Sequence, residues 1–307
     1  MAEFQRYIGI DWSGAGQSDD RVALRVVEAT GGDTPQPVRP PTSRRAKNWT
    51  RSEVGAFLRQ VLHCDSPPTL VGIDAALGYP AGSATAIFGA EDWREMVATI
   101  AEWMNEAGDV RRFMNRVNAR HAHRRGVPFF SRRSDVSERQ WWREHHERHG
   151  FFTETGVAYH RLVDILTPQA ISPFYMGPGA MVGGHTITCL ETLAPLLEAR
   201  DTDGALDFGV WPQESNWPQR RHVIAECYPA ICPDIDGTSR DMSADERDAT
   251  KIAAWLPGLT PGELQSLLTS LADNDGLQRL AMTEGWMLGV PAPASPALIE
   301  TWSGSDE

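Results

Sequence analysis

The run Tyr7-Ile8-Gly9-Ile10-Asp11, followed beyond Gly14, Gly16, Ser18, Asp19 and Asp20 by Arg21-Val22-Ala23-Leu24-Arg25-Val26-Val27-Glu28, decides the fold. Both runs are apolar or β-branched and the residues between them are turn formers, so two strands joined as a hairpin are predicted. Working outward, Gly31 to Thr42 is rich in Gly and Pro and reads as a loop, with a third strand expected at Ala46 to Trp49. Thr50-Arg51-Ser52-Glu53 has capping-box spacing, and Val54, Phe57, Leu58, Val61 and Leu62 follow at helical intervals. Leu70-Val71-Gly72-Ile73 is a buried-strand pattern that stops at Asp74. Strands, a helix and a further strand in this order point to an α/β protein.

Over residues 90–150 the pattern turns helical, polar and arginine-rich, and a helical insertion broken near Gly126-Val127-Pro128 is expected. Order resumes at Gly204 to Trp211 and at His222-Val223-Ile224-Ala225, a strand ending in Glu226. Ser243-Ala244-Asp245-Glu246 opens a helix through Ala249, Ile252, Ala253, Trp255 and Leu256. Thr260-Pro261-Gly262-Glu263 opens another, with Pro at its favoured first helical position. With no internal repeat and no low-complexity tract, residues 1–307 read as a single domain carrying the 90–150 insertion.

Composition narrows the class. A hydrophobic share of 41% with 23% charged residues is ordinary for a globular protein and argues against wholesale disorder. No stretch approaches the roughly 18 apolar residues that span a bilayer, and the N-terminus lacks a signal-peptide pattern, so no membrane association is expected. Cys64, Cys189, Cys227 and Cys232 are too few and too scattered for a disulfide scaffold, and reduced thiols in a cytoplasmic protein are expected.

The formal charge of −12 disfavours binding of nucleic acid by the whole surface. Residues 111–148, however, hold eleven arginines against four acids, about +7. This segment suits either local docking on a phosphate backbone, with His121, Trp141 and Trp142 available for stacking, or a salt-bridged surface. The cluster of His145, His146 and His149 lacks zinc-protease spacing and reads as a solvated basic helix.

Three strand patterns each end in an acid: Asp11, Asp74 and Glu226. Asp245 and Asp248 stand three apart in a first helical turn and so share a helix face. Each acid alone has an ordinary use as a turn former or as a partner of the helix dipole. Carboxylates converging from neighbouring strand ends and a helix repel one another and ionise together only if a cation shares their site. Hard oxygen donors favour Mg²⁺ or Mn²⁺, and two such ions about 4 Å apart suit phosphodiester cleavage.

Several of these motifs resemble the family called domain of unknown function 429. They are Tyr-Ile-Gly-Ile-Asp-Trp-Ser-Gly-Ala at 7–15, Val-Gly-Ile-Asp-Ala-Ala-Leu-Gly-Tyr-Pro at 71–80, and Gly-Pro-Gly-Ala-Met-Val-Gly-Gly-His-Thr at 177–186. Ala-Glu-Cys-Tyr-Pro-Ala at 225–230, Asp-Glu-Arg-Asp-Ala-Thr-Lys-Ile-Ala-Ala-Trp-Leu at 245–256 and Glu-Gly-Trp-Met-Leu-Gly-Val at 284–290 extend the resemblance along nearly the whole chain. It implies a ribonuclease-H-like mixed sheet flanked by helices and a metal-dependent nuclease. It marks Asp11, Asp74, Glu226 and Asp248 as metal-site acids, with Asp245 as a further ligand, and leaves the arginine-rich insertion unmatched.

Two other classes compete with a phosphodiester hydrolase. An ATP-dependent phosphotransferase of the actin and sugar-kinase type would bring Asp11 to Gly16 and the Gly183-Gly184 pair to the nucleotide phosphates, and would leave Glu226, Asp245 and Asp248 with less to do. A noncatalytic protein binding nucleic acid or another protein would keep the fold without turnover.

Overall fold

The computed structural model describes residues 3–43, 45–131, 150–177, 181–215, 217–235 and 242–293. Tyr7 to Asp11 pairs antiparallel with the run beginning at Arg25, in the register Asp11 opposite Arg25 and Gly9 opposite Val27. The strands are β1 (Arg6–Asp11), β2 (Arg25–Thr30), β3 (Gln36–Pro37), β4 (Thr69–Asp74), β5 (Phe208–Trp211) and β6 (His222–Glu226). They form one mixed sheet in the order β3-β2-β1-β4-β6-β5. The first three strands are antiparallel, whereas β4, β6 and β5 run parallel to β1.

Nine α-helices accompany the sheet among the described residues: α1 (Arg51–Val61), α2 (Trp93–Ala107), α3 (Val110–Arg120), α4 (Gly150–Thr155), α5 (Leu162–Leu166), α6 (Val182–Asp203), α7 (Ala244–Gly258), α8 (Pro261–Thr269) and α9 (Asp275–Glu284). Capping explains where several begin. Thr50 and Glu53 satisfy each other's backbone N–H at the start of α1, and Thr260 and Glu263 do the same for α8. Among the described residues no helix is long and apolar enough to cross a membrane.

The pleat sorts side chains to two faces. Ile8, Ile10, Val71, Ile73 and Ile224 meet Leu58 of α1, Ile100 of α2 and Leu190 of α6. Leu70, Val223 and Ala225 face the other way, onto Ile252 and Leu256 of α7 and Leu264 of α8. Because both faces are covered, β1 and β4 are apolar nearly throughout, as central parallel strands must be.

Two glycines set how closely α7 lies on the sheet. A Cβ on Gly9 would stand 2.1 Å from the carbonyl oxygen of Ala249, and one on Gly72 would stand 2.5 Å from Cγ2 of Ile252. Helix backbone therefore rests directly on strand backbone, which places the first turn of α7 over the carboxyl ends of β1 and β4.

Three expectations need correction. The third strand is Gln36–Pro37, within the segment read as a loop, and not Ala46 to Trp49. Pro37 is tolerated because it lies on the sheet edge, where its missing N–H leaves no neighbour unpaired. Trp49 instead bonds the end of the β1–β2 connection, its carbonyl accepting from Val22 N and its N–H donating to Leu24 O, and β2 begins only at Arg25. Within the insertion, helix stops at Arg120, six residues before the expected break; residues 132–149, with Trp141, Trp142 and the three histidines, lie outside the described residues.

Candidate carboxylate site

Register builds the centre of this site. Asp11 and Asp74 are direct partners across the parallel β1–β4 pair. Each stands two residues beyond a glycine that faces α7, so the alternation turns both side chains to the α7 side. Asp248 precedes Ala249, whose carbonyl covers Gly9, and Asp245 lies one turn earlier on the same helix. The four aspartates thus gather at the carboxyl ends of two neighbouring strands, beneath the positive end of a helix capped by Ser243.

None of these four carboxylates has a hydrogen-bond or ion-pair partner among the described residues. The electrostatic consequence is large. Burial, then repulsion from Asp74, Asp245 and Asp248, pushes Asp11 up to about 9, with Arg25 offsetting it only in part. Burial, then Asp248 and Glu226, pushes Asp74 up to about 8. Asp248 is raised as well, chiefly by burial, against the opposing charges of Lys251 and Arg247. In such a group each ionised acid raises the proton affinity of the others.

Glu226 has a different environment. It pairs with Ile73 across β4–β6 and so turns to the face opposite Asp11 and Asp74. There Arg161 donates to both of its oxygens at 2.7 Å, and Leu77 N–H donates to Oε2 at 3.1 Å. Arg161 also grips Asp164 at 2.8 Å, and the carboxylate of fully buried Glu284 accepts from Leu162 N–H and Ala81 N–H. Burial works against the charge on Arg161, but Asp164 and Glu226 hold its proton well above the ordinary range.

Lys251, one turn after Asp248 on α7, pairs with Asp234 at 2.6 Å. Other sequence candidates fall in new places. Gly183 and Gly184 serve packing: a Cβ on Gly14 would come 2.2 Å from the carbonyl carbon of Gly184, so the loop after β1 touches the start of α6 backbone to backbone. His121 is buried edge-on against Phe151, its Nε2 3.3 Å from Ile87 O, which removes it as a stacking platform. Arg112, Arg116 and Arg124 are paired with Asp109, Glu106 and Glu154, and Arg120 lies 3.7 Å over the ring of Trp103. For these residues the salt-bridged-surface reading of the basic segment is the one observed.

Two residues were not anticipated. Arg25, opposite Asp11 in the hairpin, is a cation acting on the carboxylate group, and its Nε–H is buried without a partner. Only the register reveals it, because in the sequence it is one polar residue in a strand-like run. Arg161 had no motif at all.

The described residues bring one set of three metal-ligating side chains within 4.8 Å of one another: His63, Cys64 and Asp65, in the connection between α1 and β4. No three of the clustered acids approach that closely. No protein-family model, no curated protein and no solved structure matches the chain.

Proposed function

We propose that this chain is a ribonuclease-H-like, Mg²⁺- or Mn²⁺-dependent phosphodiester hydrolase acting on nucleic acid. The observation that carries the reading is the unpartnered quartet Asp11, Asp74, Asp245 and Asp248, set at the carboxyl ends of β1 and β4 under α7. The mixed sheet with helices on both faces supports the fold assignment, which the resemblance of the sequence motifs to domain-of-unknown-function family 429 first suggested.

All-oxygen donors suit a hard divalent ion, and the raised proton affinities of Asp11 and Asp74 fit a site that gives up protons when a cation enters. Asp11 and Asp74 are the ligands fixed by strand register, with Asp248 and Asp245 completing the set from α7. A divalent cation there supplies charge that activates water and stabilises the leaving oxygen. Arg25, opposite Asp11 in the register, offsets part of the repulsion among the acids. Glu226 orients Arg161 and the loop after β4 through Leu77 N–H, a positioning role in this scheme.

The phosphotransferase alternative would bring nucleotide phosphates to the loop after β1 near the start of α6, and protection by Mg-ATP in a thermal melt is the result that would favour it. The test is calorimetric titration of Mn²⁺ into the wild type and Asp11→Asn, with circular dichroism as a folding control. Cleavage of single- and double-stranded DNA and RNA with Mn²⁺ is then compared. Binding and cleavage lost in a folded Asp11→Asn are expected; absence of Mn²⁺ binding by the wild type, or undiminished cleavage by the variant, rejects the assignment.

A further inference from the structure

A cavity of about 370 Å³ opens between the loop after β1, the first turn of α3 and the chain leading into α6. Gly14 and Gln17 line it from the loop, Arg111 and Met114 from α3, and Met176 and Met181 from the third side. Its volume lies within the range of small-ligand sites. Gly14 is three residues from Asp11, and three residues extend at most about 10 Å, so the cavity lies within a short reach of the carboxylates. Both stand at the carboxyl edge of the sheet, where open α/β proteins bind ligands.

The lining says what kind of ligand fits. Three thioether side chains make an apolar, adaptable wall that favours the face or edge of an aromatic ring. At the rim, Arg111 is exposed and has no ion pair or hydrogen bond with a described residue, unlike its neighbour Arg112, which is paired with Asp109. The side-chain amide of Gln17 is likewise without a partner, leaving a donor and an acceptor for a polar ring edge. An apolar slot for a flat ring, an amide for its edge and a free guanidinium outside it match one unit of a nucleic acid strand, with base inside and phosphate at the mouth.

We propose that this cavity holds an unpaired nucleobase of the substrate, with Arg111 on an adjacent phosphate, so that the substrate is single-stranded or locally opened. The proposal rests on the phosphodiester hydrolase reading and names its substrate class. A base still paired in a duplex cannot enter such a slot, whereas a splayed base can be held by its face.

The test is a fluorescence titration of a short single-stranded DNA carrying one 2-aminopurine, alongside the same strand with an abasic site at that position, in EDTA. Omitting metal separates this binding from the carboxylate chemistry. The wild type is expected to change the 2-aminopurine emission and to bind that strand about tenfold or more tightly than the abasic one. Arg111→Ala and Met114→Glu should each remove most of that binding, while Asp11→Asn should keep the preference for the base. Arg111 is exposed, so its variant remains readable if Met114→Glu does not fold. Equal affinity for the two strands, no emission change, or no binding overturns the base pocket. Mn²⁺-dependent cleavage, measured separately, then judges the hydrolase reading on its own.

Discussion

Five acids that looked alike in the sequence divide into two kinds once their partners are visible. Asp11 and Asp74 have none, and each sits on the face covered by α7; Glu226 faces the other way and has both oxygens occupied. Asp74→Asn should therefore abolish Mn²⁺ binding with the fold retained, whereas Glu226→Gln should retain Mn²⁺ binding but lower stability; calorimetry with a thermal melt on both variants distinguishes them. Equal loss of metal binding in the two would place Glu226 among the ligands. Arg161→Met should be the most damaging single change. It leaves Asp164 and Glu226 buried without their cation, a loss of about 3–5 kcal/mol in denaturant unfolding. Which acids end strands was legible from residue order. Which face each acid takes was not, because it depends on parity across β4 and β6, and these strands are about 150 residues apart in the chain.

At the scale of elements, the site exists because α7 can lie directly on β1 and β4. The glycine at position 9 is spent on that approach, and an added methyl would meet the Ala249 carbonyl with no flexible side chain to give way. Gly9→Ala should cost about 1–3 kcal/mol of stability as α7 is pushed off the sheet. It should also weaken Mn²⁺ binding, since Asp248 travels with the helix. Chemical denaturation and calorimetry on that variant test both parts, and unchanged metal affinity would detach Asp248 from the site. The hairpin, α1, β4, β6, α7 and α8 were readable in the sequence because local signals agreed: apolar runs, capping residues and helical spacing. β3 was not, since two edge residues held by β2 carry no pattern of their own. The 22-residue α6 carries little amphipathic spacing of its own, because burial on several sides erases it.

For the whole molecule, the buried acids tie stability to pH and, on the proposed hydrolase reading, to metal as well. Asp11 at about 9 and Asp74 at about 8 lie far above the ordinary carboxylate range, so between about pH 4 and 9 the folded protein binds more protons than the unfolded chain. Through these two acids the stability of the metal-free protein falls as pH rises through that window, most steeply at about pH 5–7, where they are ionised in the unfolded chain and still protonated in the fold, and it levels off as they deprotonate in the fold. His185, which burial pushes down to about 4, acts in the opposite direction, but only between about pH 4 and 6.5. Above that range the two aspartates act without this offset. The melting temperature without metal should accordingly decline from pH 6.5 to 9, and millimolar Mn²⁺ should reverse the decline, because the cation binds the deprotonated acids and adds its binding free energy to the folded state. Asp11→Asn removes one of the two costly ionisations. It should flatten the metal-free profile, stabilise the protein by about 0.5–2 kcal/mol at alkaline pH, and abolish the Mn²⁺ rescue. Thermal melts of both proteins at several pH values, with EDTA and with Mn²⁺, measure all three effects. A flat wild-type profile in EDTA would mean that Asp11 and Asp74 ionise without hindrance, and the electrostatic case for a cation between β1, β4 and α7 would fail with it.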